Sequence, residues 1–160
     1  MMTIEIKILR RGDENILAKV ASGVFDHAVD YQLSKEFLGD PRHHLAVAID
    51  AGLVVGFASA VHYVHPDKGP ELWINEVDVA PAYRSQGTAK RLLQALFEDG
   101  RGMDCTEAWV LTERSNAGAM RLYSSLGGKE APKDQVMFTF PLSRWDRNEE
   151  ERLNKTGATI

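Results

Sequence analysis

Residues 84–89, Arg-Ser-Gln-Gly-Thr-Ala, stand between a segment of alternating apolar residues and a strongly periodic helix. A helix start leaves its first N–H groups without intrahelical acceptors and carries the positive end of the helix dipole. Gly87 admits backbone torsions that other residues resist, and it removes a side chain that would block a ligand. Ala89 keeps the approach close, and Arg84 adds a cation. The N–H groups of Arg84, Ser85, Gln86, Gly87, Thr88 and Ala89 therefore read as a cradle for a pyrophosphate. The alternative is an ordinary turn with a solvent-facing arginine. The stretch lacks the Gly-Lys-Ser/Thr ending of a P-loop and the three-glycine dinucleotide fingerprint.

Other reactive side chains flank this loop. Glu76 and Asp78 alternate with Val77 and Val79, which places both carboxylates on one face of a strand. Exposed acids at a strand end are the alternative. Tyr123 shares a helical face with Ala119, Leu122 and Leu126, and by itself reads as a core tyrosine. Cys105 opens the apolar run CTEAWVLT with no histidine beside it, and reads as a buried structural thiol. His62 and His65 lie towards a loop and read as solvent-facing.

The elements that must position these groups follow from periodicity. Residues 2–9 alternate, with Ile4, Ile6 and Ile8 on one face of a strand. Residues 12–29 read as a helix with Asp13 as N-cap, and residues 29–40 as a second, ended by Gly39 and Pro41. HLAVAI and LVVGFASAVHYV flank Asp-Ala-Gly as a hairpin. ELWINEVDV is a strand stopped by Pro81, and residues 87–99 a helix with Ala89, Leu92, Leu93, Leu96 and Phe97 as its apolar stripe. EAWVLT is a strand, 116–126 a helix closed by Gly127-Gly128, and QVMFTFPL a final strand. The order implies an α/β (α+β) unit with a mixed sheet and helices on both faces. The domain is expected over 1–142, with 143–160 a charged tail that has no apolar stripe.

The chain has 160 residues, enough for one domain, and a net charge of −4. That balance argues against a nucleic-acid surface and suits a cationic partner. A single cysteine forbids an intrachain disulfide. No stretch approaches the ~20 apolar residues of a membrane span, and no leader is visible, so a cytoplasmic protein is expected.

Arg84-Ser85-Gln86-Gly87-Thr88-Ala89 resembles the acyl-CoA loop of the GCN5-related N-acetyltransferases (GNAT), Arg/Gln-x-x-Gly-x-Gly/Ala, which likewise follows a strand ending as VDVAP does. NAGAMRLYSSLGG, residues 116–128, resembles the family's Asn-x-x-Ala-x-x-x-Tyr-x-x-x-Gly segment. The resemblance implies a GNAT fold across the chain to residue 142. That is a mostly antiparallel sheet of six to seven strands with about four helices. It also implies acetyl-CoA as co-substrate, an amine as acceptor, and no metal. The backbone of Val77 and Val79 would then pair with the pantetheine arm, Asn116 would bond near it or to the adjoining backbone, and Tyr123 would protonate the leaving thiolate. An amine acceptor must lose a proton before it attacks. Glu76 is the first choice for that base, ahead of Glu113 and of His62 or His65.

Within the superfamily the chain looks most like the type I aminoglycoside 3-N-acetyltransferases, on residues 46–68, 71–89 and 121–128. It departs from that pattern in carrying Glu-Val-Asp-Val over 76–79 and Asn at 116. The likeness implies a polycationic acceptor drawn to Glu71, Glu76, Asp78 and Glu113, and a role in antibiotic resistance. An N-acetyltransferase for another small amine or a protein terminus, and a non-catalytic acyl-CoA-binding module, are the competing expectations. A homodimer is expected, with the apolar final strand near an edge that favours cover.

Overall fold

The computed structural model describes residues 3–132, 134–140 and 142. The chain divides into two compact units, 1–128 and 129–160. The first holds a five-stranded sheet in sequence order: β1 (Glu5–Leu9), β2 (His43–Asp50), β3 (Leu53–Tyr63), β4 (Glu71–Val79) and β5 (Glu107–Val110). The first four strands are antiparallel, and β5 runs parallel to β4. The helices are α1 (Tyr31–Gly39), α2 (Thr88–Gly102) and α3 (Ala117–Ser125). This is the GNAT fold that the motifs imply, with fewer strands and helices among the described residues than expected.

The sheet buries apolar side chains on both faces. α2 lays Leu92, Leu93 and Leu96 on one face, against Ala46, Ala48, Val55, Ala58, Leu72, Ile74 and Val79. Its stripe is the one that the 3.6-residue period marks. The other face carries Leu45, Val47, Val54 and Phe57, covered by Leu17, Val24 and Leu38. The hairpin between β2 and β3 turns through Ala51-Gly52, as the sequence predicts.

The helix expected over 12–29 is not formed. A 3-10 helix spans Glu14–Ala18, and Val20 then bridges in parallel to Val54. The Ala21 N–H donates to the Val54 carbonyl at 2.8 Å, and the Val54 N–H to the Lys19 carbonyl at 2.9 Å. Sheet pairing outweighs the weak helical period of this stretch. Asp13 stands at the N-cap of that short 3-10 helix, but its side chain makes no capping bond. Its carboxylate accepts from the Arg10 N–H and the Lys7 ammonium, each at 2.9 Å. Asp30 caps instead, accepting the Leu33 N–H at 2.8 Å at the start of α1.

β4 departs from strict alternation. Ser59 pairs with Glu76 and Ala60 with Ile74, so Asn75 is an unpaired bulge residue. The extra residue reverses the parity of the strand. Leu72 and Ile74 before it, and Val77 and Val79 after it, all pack on the α2 face. Glu71, Trp73, Glu76 and Asp78 are left on the opposite face. Without the bulge, Glu76 and Asp78 would share the buried side with Leu72 and Ile74.

In the second unit the expected final strand is not formed among the described residues, and 143–160 lie outside them. Val136, Met137, Phe138 and Phe140 are exposed there. Alternating apolar residues alone do not make a strand when their backbone has no ladder to join.

Candidate active site

β4 and β5 pair only from Glu71–Glu107 to Ile74–Val110. Beyond Ile74 the pairing stops and the two strands part company, and among the described residues no strand lies beside that edge of residues 75–79. The register fixes which backbone groups face that edge. The Ala80 N–H donates to the Val55 carbonyl at 2.8 Å, so residues 78 and 80 bond towards β3. Val77 and Val79, alternating with them, turn their N–H and C=O groups outward. At Val79 both groups are already engaged. The Arg84 Nε donates to its carbonyl at 2.7 Å, and its N–H donates to the Asp78 carboxylate at 2.7 Å.

The loop that follows is shaped by two left-handed residues, Ser85 at φ 61° and Gly87 at φ 78°. Gly87 occupies the N-cap of α2 without a capping side chain, so the first N–H groups of the helix have no local acceptor. Gln86 ties the loop back by donating its side-chain amide to the Ala82 carbonyl at 3.0 Å. Thr88 is buried, and its hydroxyl has no hydrogen-bond partner. Free helix N–H groups and an orphaned buried hydroxyl fit an anionic ligand. Arg84, the cation of the cradle reading, is engaged within the chain: besides holding Val79 it pairs with Asp78 at 3.2 Å.

Tyr123 sits on α3 and packs half-buried against the α2-side core. It lines a cavity of about 330 Å³ with Leu72, Ile74, Phe97 and Val110. Burial pushes its phenol above the ordinary value, which keeps it protonated at neutral pH. The helix that carries it is fixed at both ends. Asn116 caps α3 by accepting the Ala119 N–H at 3.0 Å. At the other end the Gly128 N–H returns to the Tyr123 carbonyl at 3.0 Å, and a Cβ on Gly128 would lie 2.9 Å from that oxygen.

The expected carboxylates are not all brought together. Glu76 is exposed and lines a cavity of about 310 Å³ on the sheet face away from α2. Asp78 shares that face but is tied to Arg84. Glu113 is exposed in the segment after β5, where it accepts the Ser115 hydroxyl at 3.3 Å. Glu71 stands apart, five residues and about 16 Å along the strand from Glu76. The Lys68 ammonium beside it holds its carboxyl below the usual range, and His65 lies 3.5 Å away.

Two groups of residues escaped the sequence reading. Phe25, Asp26 and Asp30 line the cavity beside Glu76; the mistaken helical period over 12–29 hid Phe25 and Asp26, and Asp30 follows as the cap of α1. His44, Asp99 and His62 form a chain on the α2 face. His44 Nδ1 lies 2.6 Å from Asp99 and its Nε2 lies 2.7 Å from His62. Arg10 also bonds Asp99. No spacing in the sequence relates these four. His62 is thus half-buried in a network, not the solvent-facing residue expected. Cys105 is half-buried, with its thiol pushed up by burial, in keeping with a structural role.

The model of the acetyltransferase (GNAT) family matches residues 14–127. "Aminoglycoside N(6′)-acetyltransferase type 1" of Salmonella typhimurium is 31% identical over 101 residues, covering 59% of this chain and 68% of the relative. "N-acetyltransferase 8" of Rattus norvegicus is 29% identical over 96 residues, 59% of this chain but only 43% of its own length. Among solved structures, AAC(6′)-Iy in complex with the bisubstrate analogue CoA-S-monomethyl-acetylneamine superposes with a TM-score of 0.71 at 22% identity, covering 88% of this chain and 99% of that one. These aminoglycoside relatives are named for the 6′ amine, so the 3-N type implied by the sequence likeness is not supported.

Proposed function

Because the chain belongs to the acetyltransferase (GNAT) family, we propose that it transfers an acetyl group from acetyl-CoA to a primary amine of a small cationic acceptor. The observation that carries this reading is the parting of β4 and β5, which leaves the Val77 and Val79 backbone outward-facing beside the 84–89 loop. When bound, acetyl-CoA supplies the acyl group as an activated thioester. The N–H groups of residues 85–89 hold its pyrophosphate, while that of Arg84 donates to the Pro81 carbonyl at 3.3 Å. The outward edge of Val77 binds the pantetheine arm as an added strand, and that of Val79 does so once Arg84 and Asp78 release it.

Glu76 and Tyr123 lie on opposite faces of the sheet. Glu76 takes a proton from the acceptor ammonium, directly or through water, and Glu113 is the alternative base. Asn116 holds the start of the helix that presents Tyr123. The Tyr123 hydroxyl then gives its proton to the departing sulfur. One C–S bond breaks as one C–N bond forms, and the net proton released goes to solvent. Asp78 and Glu113 offer further contacts to ammonium groups. The named relatives make aminoglycosides the first acceptors to try. We also propose pairing of two copies, supported by the exposed Val136, Phe138 and Phe140; a monomer mass in solution scattering at micromolar concentration would refute it.

The test is acetyl-CoA consumption against aminoglycosides, polyamines and amino acids. At least one amine is expected to be acetylated. Glu76→Gln should lower turnover by roughly 10²-fold or more while acetyl-CoA affinity is kept. An enzyme that binds acetyl-CoA and consumes none with any amine would be an acyl-CoA-binding module instead.

A further inference from the structure

We propose that the acceptor enters the cavity beside Glu76 as a primary amine carried on a compact apolar body, such as an arylalkylamine; this rests on the N-acetyltransferase reading above. The cavity encloses about 310 Å³. That volume is at the small end of ligand pockets, which suits a compact acceptor. Phe25 and Phe57 stack in its wall with ring centroids 4.0 Å apart. Leu33 and Phe37 from α1 and Leu45 from β2 complete an apolar surface.

Among the described residues the lining carries three carboxylates, Asp26, Asp30 and Glu76, together with His27, and neither lysine nor arginine. A cation is therefore favoured at the rim, next to the proposed base. Apart from the carboxylates and His27, the lining offers few side-chain groups to receive sugar hydroxyls. Of the lining hydroxyls, Ser34 already donates to the Asp30 carbonyl at 2.7 Å, which leaves Ser59. One oxygen of Asp30 is committed to the Leu33 N–H. A polyhydroxylated ring would bury donors and acceptors against Phe and Leu without partners, a penalty that an aromatic or branched alkyl body avoids. Aromatic packing on Phe25 and Phe57 adds to the preference.

The test compares kcat/KM for 2-phenylethylamine, glucosamine and kanamycin at saturating acetyl-CoA. We expect 2-phenylethylamine to lead by tenfold or more. Leu33→Lys puts a like charge and no apolar wall at the cavity. Leu33 is 66% exposed, so the substitution leaves the core intact. It should raise KM for 2-phenylethylamine roughly tenfold, with the KM for acetyl-CoA unchanged. Glucosamine or kanamycin used as well as 2-phenylethylamine, or a Leu33→Lys enzyme with wild-type KM, would overturn the inference while leaving N-acetyl transfer in place. Acetyl-CoA binding without turnover of any amine would overturn both.

Discussion

The two faces of the sheet are built by different means. On one, the fifteen-residue helix α2 sets three fully buried leucines against four strands, and that packing fixes where its N-terminus points. On the other, residues 13–30 form a 3-10 turn, a single bridge to Val54 and irregular backbone before α1 begins. That segment is held by individual side chains, Leu17, Val24 and Phe25, set into the sheet. The proposed donor loop belongs to the regular face and the proposed acceptor cavity to the irregular one. A helix start positioned by a core can serve one constant ligand. A wall of separately anchored side chains can change one residue at a time, and with it the acceptor.

The largest expected effect breaks the donor side alone. Gly87→Glu forces a side chain into a left-handed position and sets a negative charge at the helix start. A Cβ there meets open space, so the fold should survive with a cost of about 1 kcal/mol. Acetyl-CoA affinity should fall ~100-fold or more in calorimetry, against an unchanged melting profile to within a few degrees. Wild-type affinity in a folded variant would remove the loop from the site.

Tyr123→Phe probes chemistry at constant shape and should have the next largest effect. The ring keeps its place against the core, and only the proton is lost. Turnover should drop roughly 10- to 1,000-fold with acetyl-CoA affinity retained. A kcat within twofold of wild type would make Tyr123 a packing residue, as its helical face alone would suggest.

The same contrast explains what the sequence made legible. The 84–89 loop, the α2 stripe and the Ala51-Gly52 hairpin are local, and their residues sit at spacings that only one backbone satisfies. Residues 12–29 failed because their apolar side chains follow no single period; long-range pairing of Val20 with Val54 decides their shape. The face shared by Glu76 and Asp78 was read correctly, but the reason it is not the buried face of Leu72 and Ile74 lies in the Asn75 bulge, which nothing in ELWINEVDV marks. The partners of Arg84, Asp78 and the Val79 carbonyl, are not legible in the sequence because they become its neighbours only when the chain turns at Pro81. The His44–Asp99–His62 chain draws on β2, α2 and β3 and has no local signature at all.

That chain yields the smallest expected effect, a pH dependence confined to the α2 face. Burial first, and then the positive charges of His44 and Arg42, push His62 below the ordinary histidine value of 6.5; the Asp40 and Asp99 carboxylates oppose them. A histidine with a depressed folded-state pKa resists a proton that the unfolded chain accepts. Its contribution to stability is whole above pH ~6.5 and is lost as pH falls from there through the folded value. Asp99 cannot mimic this. Burial would raise it, but its bonds to Arg10 and His44 hold it below the usual carboxylate range, so it titrates at lower pH. Asp40, kept low by its bonds to Arg42, also titrates below this range. The melting temperature should therefore drop between pH 8 and pH 5.5 by a few degrees more in the wild type than in His62→Gln, whose amide can still meet His44 Nε2. Acceptor preference, set on the other face, should be the same in both proteins. Equal drops would show that His62 does not report on folding, and a changed acceptor preference would show that the two faces are not independent.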